Sequence, residues 1–113
     1  MSKLVKGSFG GSSQEFSGQW LIDSKITVKL DGKFDNSVPS FVVSAARLYY
    51  DDVSNLEGRY DIVDEVYASH IGVGEISLRF KNDKNIEFEI TGKLDDPINE
   101  RVTVRGFYGT WSK

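Results

Sequence analysis

The chain has 113 residues, a formal net charge of −3 and 39% hydrophobic residues, the size and make-up of one globular domain covering 1–113. It holds no cysteine and one histidine, which excludes a disulfide scaffold, a thiol nucleophile, a zinc–thiolate centre and a His-rich metal site. Its bases are spread rather than clustered, which argues against a nucleic-acid surface, and no run approaches the eighteen or so apolar residues that cross a bilayer as a helix.

The N-terminal segment from Met1 to Gly7 carries charge but no apolar run. No signal peptide is read there, and a cytoplasmic location is favoured. Lys3 to Phe9 and Phe16 to Ile22 are the first strand candidates, with Phe9-Gly10-Gly11-Ser12-Ser13-Gln14 as a loop tip where they meet. Lys25 to Leu30 alternates polar and apolar with period two, placing Ile26, Val28 and Leu30 on one face. Asp31-Gly32 then reads as a turn. Phe41 to Tyr50 is rich in β-branched and aromatic residues and reads as strand, although Ser44 to Leu48 would also suit a helical turn.

Gly58 to Val63 and Val66 to Ile71 follow as strands. Glu75 to Phe80 and Ile86 to Ile90 both alternate, and Asn82-Asp83-Lys84 between them marks a hairpin. The expected register sets Leu78 opposite Phe88 and Arg79 opposite Glu87, since opposite charges across a ladder favour their own pairing. Arg101 to Trp111 is the last extended run. Pro39 and Pro97 are both expected in connections. About eight or nine short strands result, with no sustained 3.6-residue period. The fold class is all-β, a single-domain antiparallel β-barrel of meander type, with a Greek-key β-sandwich as the alternative.

A glycine precedes a large apolar residue by two positions at Gly18-Gln19-Trp20, Gly32-Lys33-Phe34, Gly58-Arg59-Tyr60, Gly92-Lys93-Leu94, Gly106-Phe107-Tyr108 and Gly109-Thr110-Trp111. These read as corners where a strand bends and sends a large side chain inward.

Chemistry-bearing motifs are sparse. His70 is the one residue able to act as the base of a nucleophilic triad, and no Gly-x-Ser-x-Gly elbow accompanies it. Asp51-Asp52, Asp64-Glu65 and Asp95-Asp96 are adjacent carboxylates, which point to opposite faces when on a strand and read as turn chemistry when in loops. The stretch from Asp51 to Glu57 offers Asp51, Asp52, Asn55 and Glu57 as oxygen ligands for calcium, but without EF-hand spacing. The aromatic residues Trp20, Tyr49, Tyr60 and Trp111, together with His70, are the candidate ligand-binding set. An aromatic ring stacks on a sugar or apolar ligand without strict geometric demands.

Two resemblances attach to particular residues. Asp35-Asn36-Ser37-Val38-Pro39-Ser40 resembles the calcium loop of βγ-crystallins, with Pro39 at a position where that family has a hydroxyl. Leu48-Tyr49-Tyr50-Asp51-Asp52 with Leu56-Glu57-Gly58 resembles its aromatic corner with one residue too many, and Lys81 onward is not covered. Ser17-Gly18-Gln19-Trp20 and Gly58-Arg59-Tyr60-Asp61 resemble segments of avidin- and lipocalin-like meander barrels, without the spacing of avidins. The barrel architecture is carried forward and no family is assigned.

The functional expectation is a non-enzymatic binding module for a small apolar or carbohydrate ligand. The alternatives are a structural or interaction protein that oligomerises through an apolar β-face, and a barrel enzyme using Asp, Glu, Tyr and His70 in acid–base chemistry. No cofactor is implied beyond the calcium reading.

Overall fold

The computed structural model describes residues 3–63, 69–104 and 108–112, with backbone alone at 35, 36 and 103. Asp64, Glu65, Tyr67, Gly106 and Phe107, singled out in the sequence, lie outside the described residues, as does the first half of the expected strand Val66 to Ile71. The elements are β1 (Lys3–Ile22), β2 (Ile26–Tyr50), a 3₁₀ turn at Val53–Asn55, β3 (Gly58–Ile62), β4 (His70–Ile71), β5 (Glu75–Lys81), β6 (Glu87–Lys93), β7 (Val102–Thr103) and β8 (Tyr108–Ser112).

All the ladders are antiparallel, and they close into a β-barrel. The first half of β1 pairs with the second half of β2, from Lys3↔Tyr50 to Gly11↔Phe41. Its second half pairs with the first half of β2, from Glu15↔Lys33 to Ile22↔Ile26. β2 also carries β8 along Lys29–Lys33 and β6 along Arg47–Tyr49. β8 pairs with β3, β3 with β5 and β5 with β6, which completes the circuit. β4 continues the β3 side of β5, at Ser77 and Ile76, and carries β7 beyond it. A closed sheet leaves few unpaired strand edges for a second chain to extend.

Three expectations are corrected by the length of β1 and β2. The residues Ser12 to Gln14 are not a separate loop, because strand geometry runs through them. The halves of β1 nevertheless turn back beside each other near Ser13, whose φ is +55°. Gly7 lies against the Gln19 carbonyl, Gly11 against the Glu15 carbonyl and Gly18 against the Ser8 carbonyl, contacts that run antiparallel. Likewise Asp31-Gly32 is not a turn and Pro39 is not in a connection, since β2 passes through both. Pro39 is tolerated because it falls between Val38, opposite Ser13, and Phe41, opposite Gly11, where the ladder is irregular. The tight turn is instead at Asp23-Ser24. Their φ values of +53° and +57°, closed by Lys25 N–H donating to the Ile22 carbonyl at 3.0 Å, describe a type I′ turn within the three-residue loop between Ile22 and Ile26. Ser44 to Leu48 is strand.

The β5–β6 register also differs from expectation by two residues. Leu78 faces Ile90, Arg79 faces Glu89 and Phe80 faces Phe88. The loop is longer than the Asn-Asp-Lys signal. Asn82 Oδ1 accepts from the amides of Lys84 and Ile86, Asn82 N–H donates to the Ile86 carbonyl, and Asn85 takes φ +63°. A shift of two keeps every side chain on its expected face. It also pairs Arg79 with Glu89 at 3.2 Å, so charge complementarity survives in a different partner.

Ring order is not chain order. β6 pairs with β2, and β8 sits between β2 and β3, so the connectivity is not a pure meander. The crossing segment after β6 is tied down on its way: the Leu94, Asp95 and Ile98 amides donate to the carbonyls of Gly74, Val42 and Val73.

Inside the barrel the glycine–aromatic triplets acquire a precise role. Along a strand, residues two apart share a face, so Gly18 and Trp20, Gly32 and Phe34, and Gly109 and Trp111 point inward together. A side chain at Gly7 or Gly18 would meet the Trp20 ring, one at Gly32 or Gly11 would meet Phe16, and one at Gly109 would meet Leu30. The glycines are the small members of a small–large alternation that lets wide rings fit a narrow barrel.

Candidate functional site

Those rings fill the barrel interior, three of the candidate binding residues among them. Trp20, Tyr60 and Trp111 are 1%, 1% and 4% exposed. Trp20 and Trp111 meet edge-on at 5.7 Å, Trp111 meets Phe88 at 5.0 Å, and Phe88 meets Tyr60 at 4.8 Å. Phe80 stacks on Phe88 at 4.7 Å and 9°, and Phe16 links Phe80 to Phe9 and Phe34. Two polar tips are satisfied within the protein: Trp20 Nε1–H donates to the Ala46 carbonyl at 3.1 Å, and Tyr60 O–H to the Asn55 carbonyl at 2.6 Å. Burial and the Glu57 carboxylate raise the Tyr60 phenol above its ordinary value.

Tyr49 and His70 lie elsewhere. Tyr49 is half-buried on the outer face, opposite Leu4 on one side and Glu89 on the other. His70 is half-buried, opposite Ser77 and Thr103. Its Nδ1 is buried without a hydrogen-bond partner among the described residues. Burial first, then the Arg101 cation, lowers the His70 pKa, and Glu75 opposes them. No carboxylate is hydrogen-bonded to it among the described residues, so the geometry of a catalytic His–carboxylate pair is not formed there. The five candidates therefore form no common site: three share the core, and two stand apart on the outside.

The acidic loop after β2 serves its own backbone. Asp52 caps the 3₁₀ turn by accepting from the Ser54 amide and hydroxyl, both at 3.0 Å, which holds its carboxyl below the ordinary value. Asn55 contributes its carbonyl to Tyr60. Among the described residues no group of three His, Cys, Asp or Glu side chains is placed to hold a metal ion. The βγ-crystallin-like stretch Asp35 to Ser40 lies inside β2 rather than in a loop.

Concave surface appears instead along the bend of the β1–β2 ribbon. A shallow groove of about 850 Å³ is bounded by Gly10 to Ser12, Glu15 to Ser17, Asp31 to Lys33, Ser40 to Val42, Tyr108 and Thr110. It continues past Ser8, Gly18, Gln19 and Lys29 through a second depression that shares Gly10, Ser17, Asp31 and Val42 with the first. The lining mixes the short hydroxyl side chains of Ser8, Ser12, Ser17, Ser40 and Thr110 with glycines and the apolar Phe16, Phe41 and Val42, and Lys29, Glu15, Asp31 and Lys33 are its charges. Tyr108 supplies the aromatic surface. Its ring is held by the Arg59 guanidinium, 4.3 Å from the ring centre, and Arg59 is itself paired with Asp61 at 3.2 Å.

Comparison with family models, with curated proteins and with solved structures finds no match. The geometry alone carries the functional reading. Sequence reasoning missed this groove, because its lining comes from three strands and consists of residue types that are ordinary on any sheet surface. Among the described residues, no helix is long and apolar enough to cross a membrane.

Proposed function

We propose that the protein is a non-enzymatic binding module that holds a carbohydrate on the groove between the β1 bend, β2 and β8. The observation that supports this reading is the groove's lining: the hydroxyls of Ser12, Ser17, Ser40 and Thr110, the carboxylates of Glu15 and Asp31, and the Tyr108 ring around one depression. Sugars are recognised by that combination of hydroxyl-directed hydrogen bonds and an amphipathic ring. An apolar ligand enclosed by the barrel is the less favoured form, because Trp20, Tyr60, Phe80, Phe88 and Trp111 already occupy that space.

The test is a titration of the full chain with a panel of neutral oligosaccharides, followed by amide NMR shifts. Saturating shifts are expected at Gly10, Ser17, Asp31 and Thr110, with affinity in the millimolar range, about −4 kcal/mol. Tyr108→Ala and Asp31→Asn should each weaken binding by about fivefold or more. Shifts that fail to saturate, or that fall on a different face, overturn the proposal.

Oligomerisation is the second reading, favoured by the exposed side chains of Leu4 and Val42 on the outer sheet and of Leu21 and Ile26 beside the first hairpin. A strictly monomeric mass by light scattering at about 100 μM, well above the Kd of a stable dimer, counts against it.

A further inference from the structure

We propose a separate oxyanion site, outside the groove, for the phosphate or sulfate group of a small ester, formed by Lys6, Arg47 and Lys93. The three cations line a depression of about 600 Å³ with Leu4, Ser44, Ala45, Leu94 and Asp95. They come from three neighbouring strands: Lys6 on β1 stands directly opposite Arg47 on β2, Arg47 stands opposite Thr91 on β6, and Lys93 lies two residues further along β6. Like charges directly across an antiparallel ladder repel. On a chain of net charge −3, this is a local reversal of sign.

The carboxylates near it are otherwise engaged or unpaired with it. Asp95, on the rim, accepts from the Ser44 amide at 3.0 Å and from the Ser44 hydroxyl, which lowers its pKa. Glu89, beside Arg47 on the ladder, is bonded to Arg79 at 3.2 Å. Glu75 stands opposite Lys93, but no ion pair joins them. None of Lys6, Arg47 and Lys93 has an ion-pair partner among the described residues. An arginine fork flanked by two ammonium groups matches a tetrahedral oxyanion. Leu4, 52% exposed, offers apolar surface to the organic part of an ester.

The experiment titrates the full chain with inorganic phosphate and, separately, inorganic sulfate at constant ionic strength, with chloride as control. Amide shifts at Lys6, Ser44, Arg47 and Lys93 are expected to saturate with either oxyanion and not with chloride. Arg47→Gln and Lys93→Gln should each weaken binding about tenfold, whereas Lys84→Gln, the same charge change on a distant loop, should change it less than about twofold. Arg47→Gln also removes the repulsion with Lys6, so its Tm should rise by about 1–4 °C while binding falls. That opposition shows the variant is folded. Para-nitrophenyl phosphate and sulfate are the further arms. Tighter binding of either ester than of its inorganic ion supports the proposal and tells which group the site takes. Equal shifts with chloride, equal losses in Lys84→Gln, or esters that bind no better than the inorganic ions overturn it. Retained neutral-sugar binding in Arg47→Gln separates this outcome from that of the groove.

Discussion

His70 shows how little a residue's chemistry says before its surroundings are known. Its folded-state pKa lies below the ordinary value because burial and the Arg101 cation both disfavour the imidazolium. The unfolded chain therefore takes up the proton more readily, with a pKa of about 6.5. By linkage, the His70 contribution to stability is complete above that pH and is lost as pH falls through the unfolded value towards the folded one. Urea midpoints measured between about pH 5 and 8 should fall on the acid side, and His70→Gln should flatten that slope. An unchanged slope in the variant removes His70 as its source. The tryptophans differ in the same local way. Trp20 Nε1–H is bonded to Ala46, whereas Trp111 Nε1–H is buried without a hydrogen-bond acceptor among the described residues. Trp20→Phe removes a buried hydrogen bond to the Ala46 carbonyl, while Trp111→Phe removes a donor with no acceptor among the described residues. Chemical denaturation should find Trp20→Phe the less stable by about 1–3 kcal/mol.

At the scale of elements, the alternation in β5 and β6 was legible because hydrophobic period depends only on neighbours along the chain. The register was not, because it hangs on the loop, where Asn82 and Asn85 build five residues into a turn that Asn82-Asp83-Lys84 alone does not signal. The first hairpin was hidden for a related reason: Asp23 and Ser24 adopt left-handed backbone without a glycine to mark it. Ser24→Gly should relieve that strain and raise stability by about 0.5–1 kcal/mol, read as a higher denaturation midpoint. A lower midpoint contradicts the type I′ assignment. The glycine triplets were visible as a pattern, and period two turns Gly18–Trp20, Gly32–Phe34 and Gly109–Trp111 inward, whereas Tyr108 of Gly106-Phe107-Tyr108 falls on the opposite face and lines the groove. What each glycine makes room for was not visible, because Phe16 and Trp20 arrive from another part of the ribbon.

For the whole molecule, closure decides how these elements are used. Gly32 sits where a Cβ would run into the Tyr108 carbonyl and the Phe16 ring, while Gly74 has nothing within 4 Å of that position. Gly32→Ala is expected to cost about 3 kcal/mol or more, since backbone as well as a ring must give way, and Gly74→Ala to stay within about 0.5 kcal/mol. Thermal melts of the pair check this. Equal costs would mean that the barrel wall yields at Gly32.

The sequence by itself determined the all-β character, the inward set and the poverty of catalytic groups, because composition and period two are properties of adjacent residues. Only the tertiary structure decided which rings Trp20, Tyr60 and Trp111 meet inside the barrel, and that Tyr49 and His70 remain outside it. It alone brought Lys6, Arg47 and Lys93 to one depression, and Ser17, Asp31 and Thr110 to another. Those neighbours are set by ladder register and ring closure, which join residues far apart in the chain and depend on loops and long-range packing that local pattern does not encode.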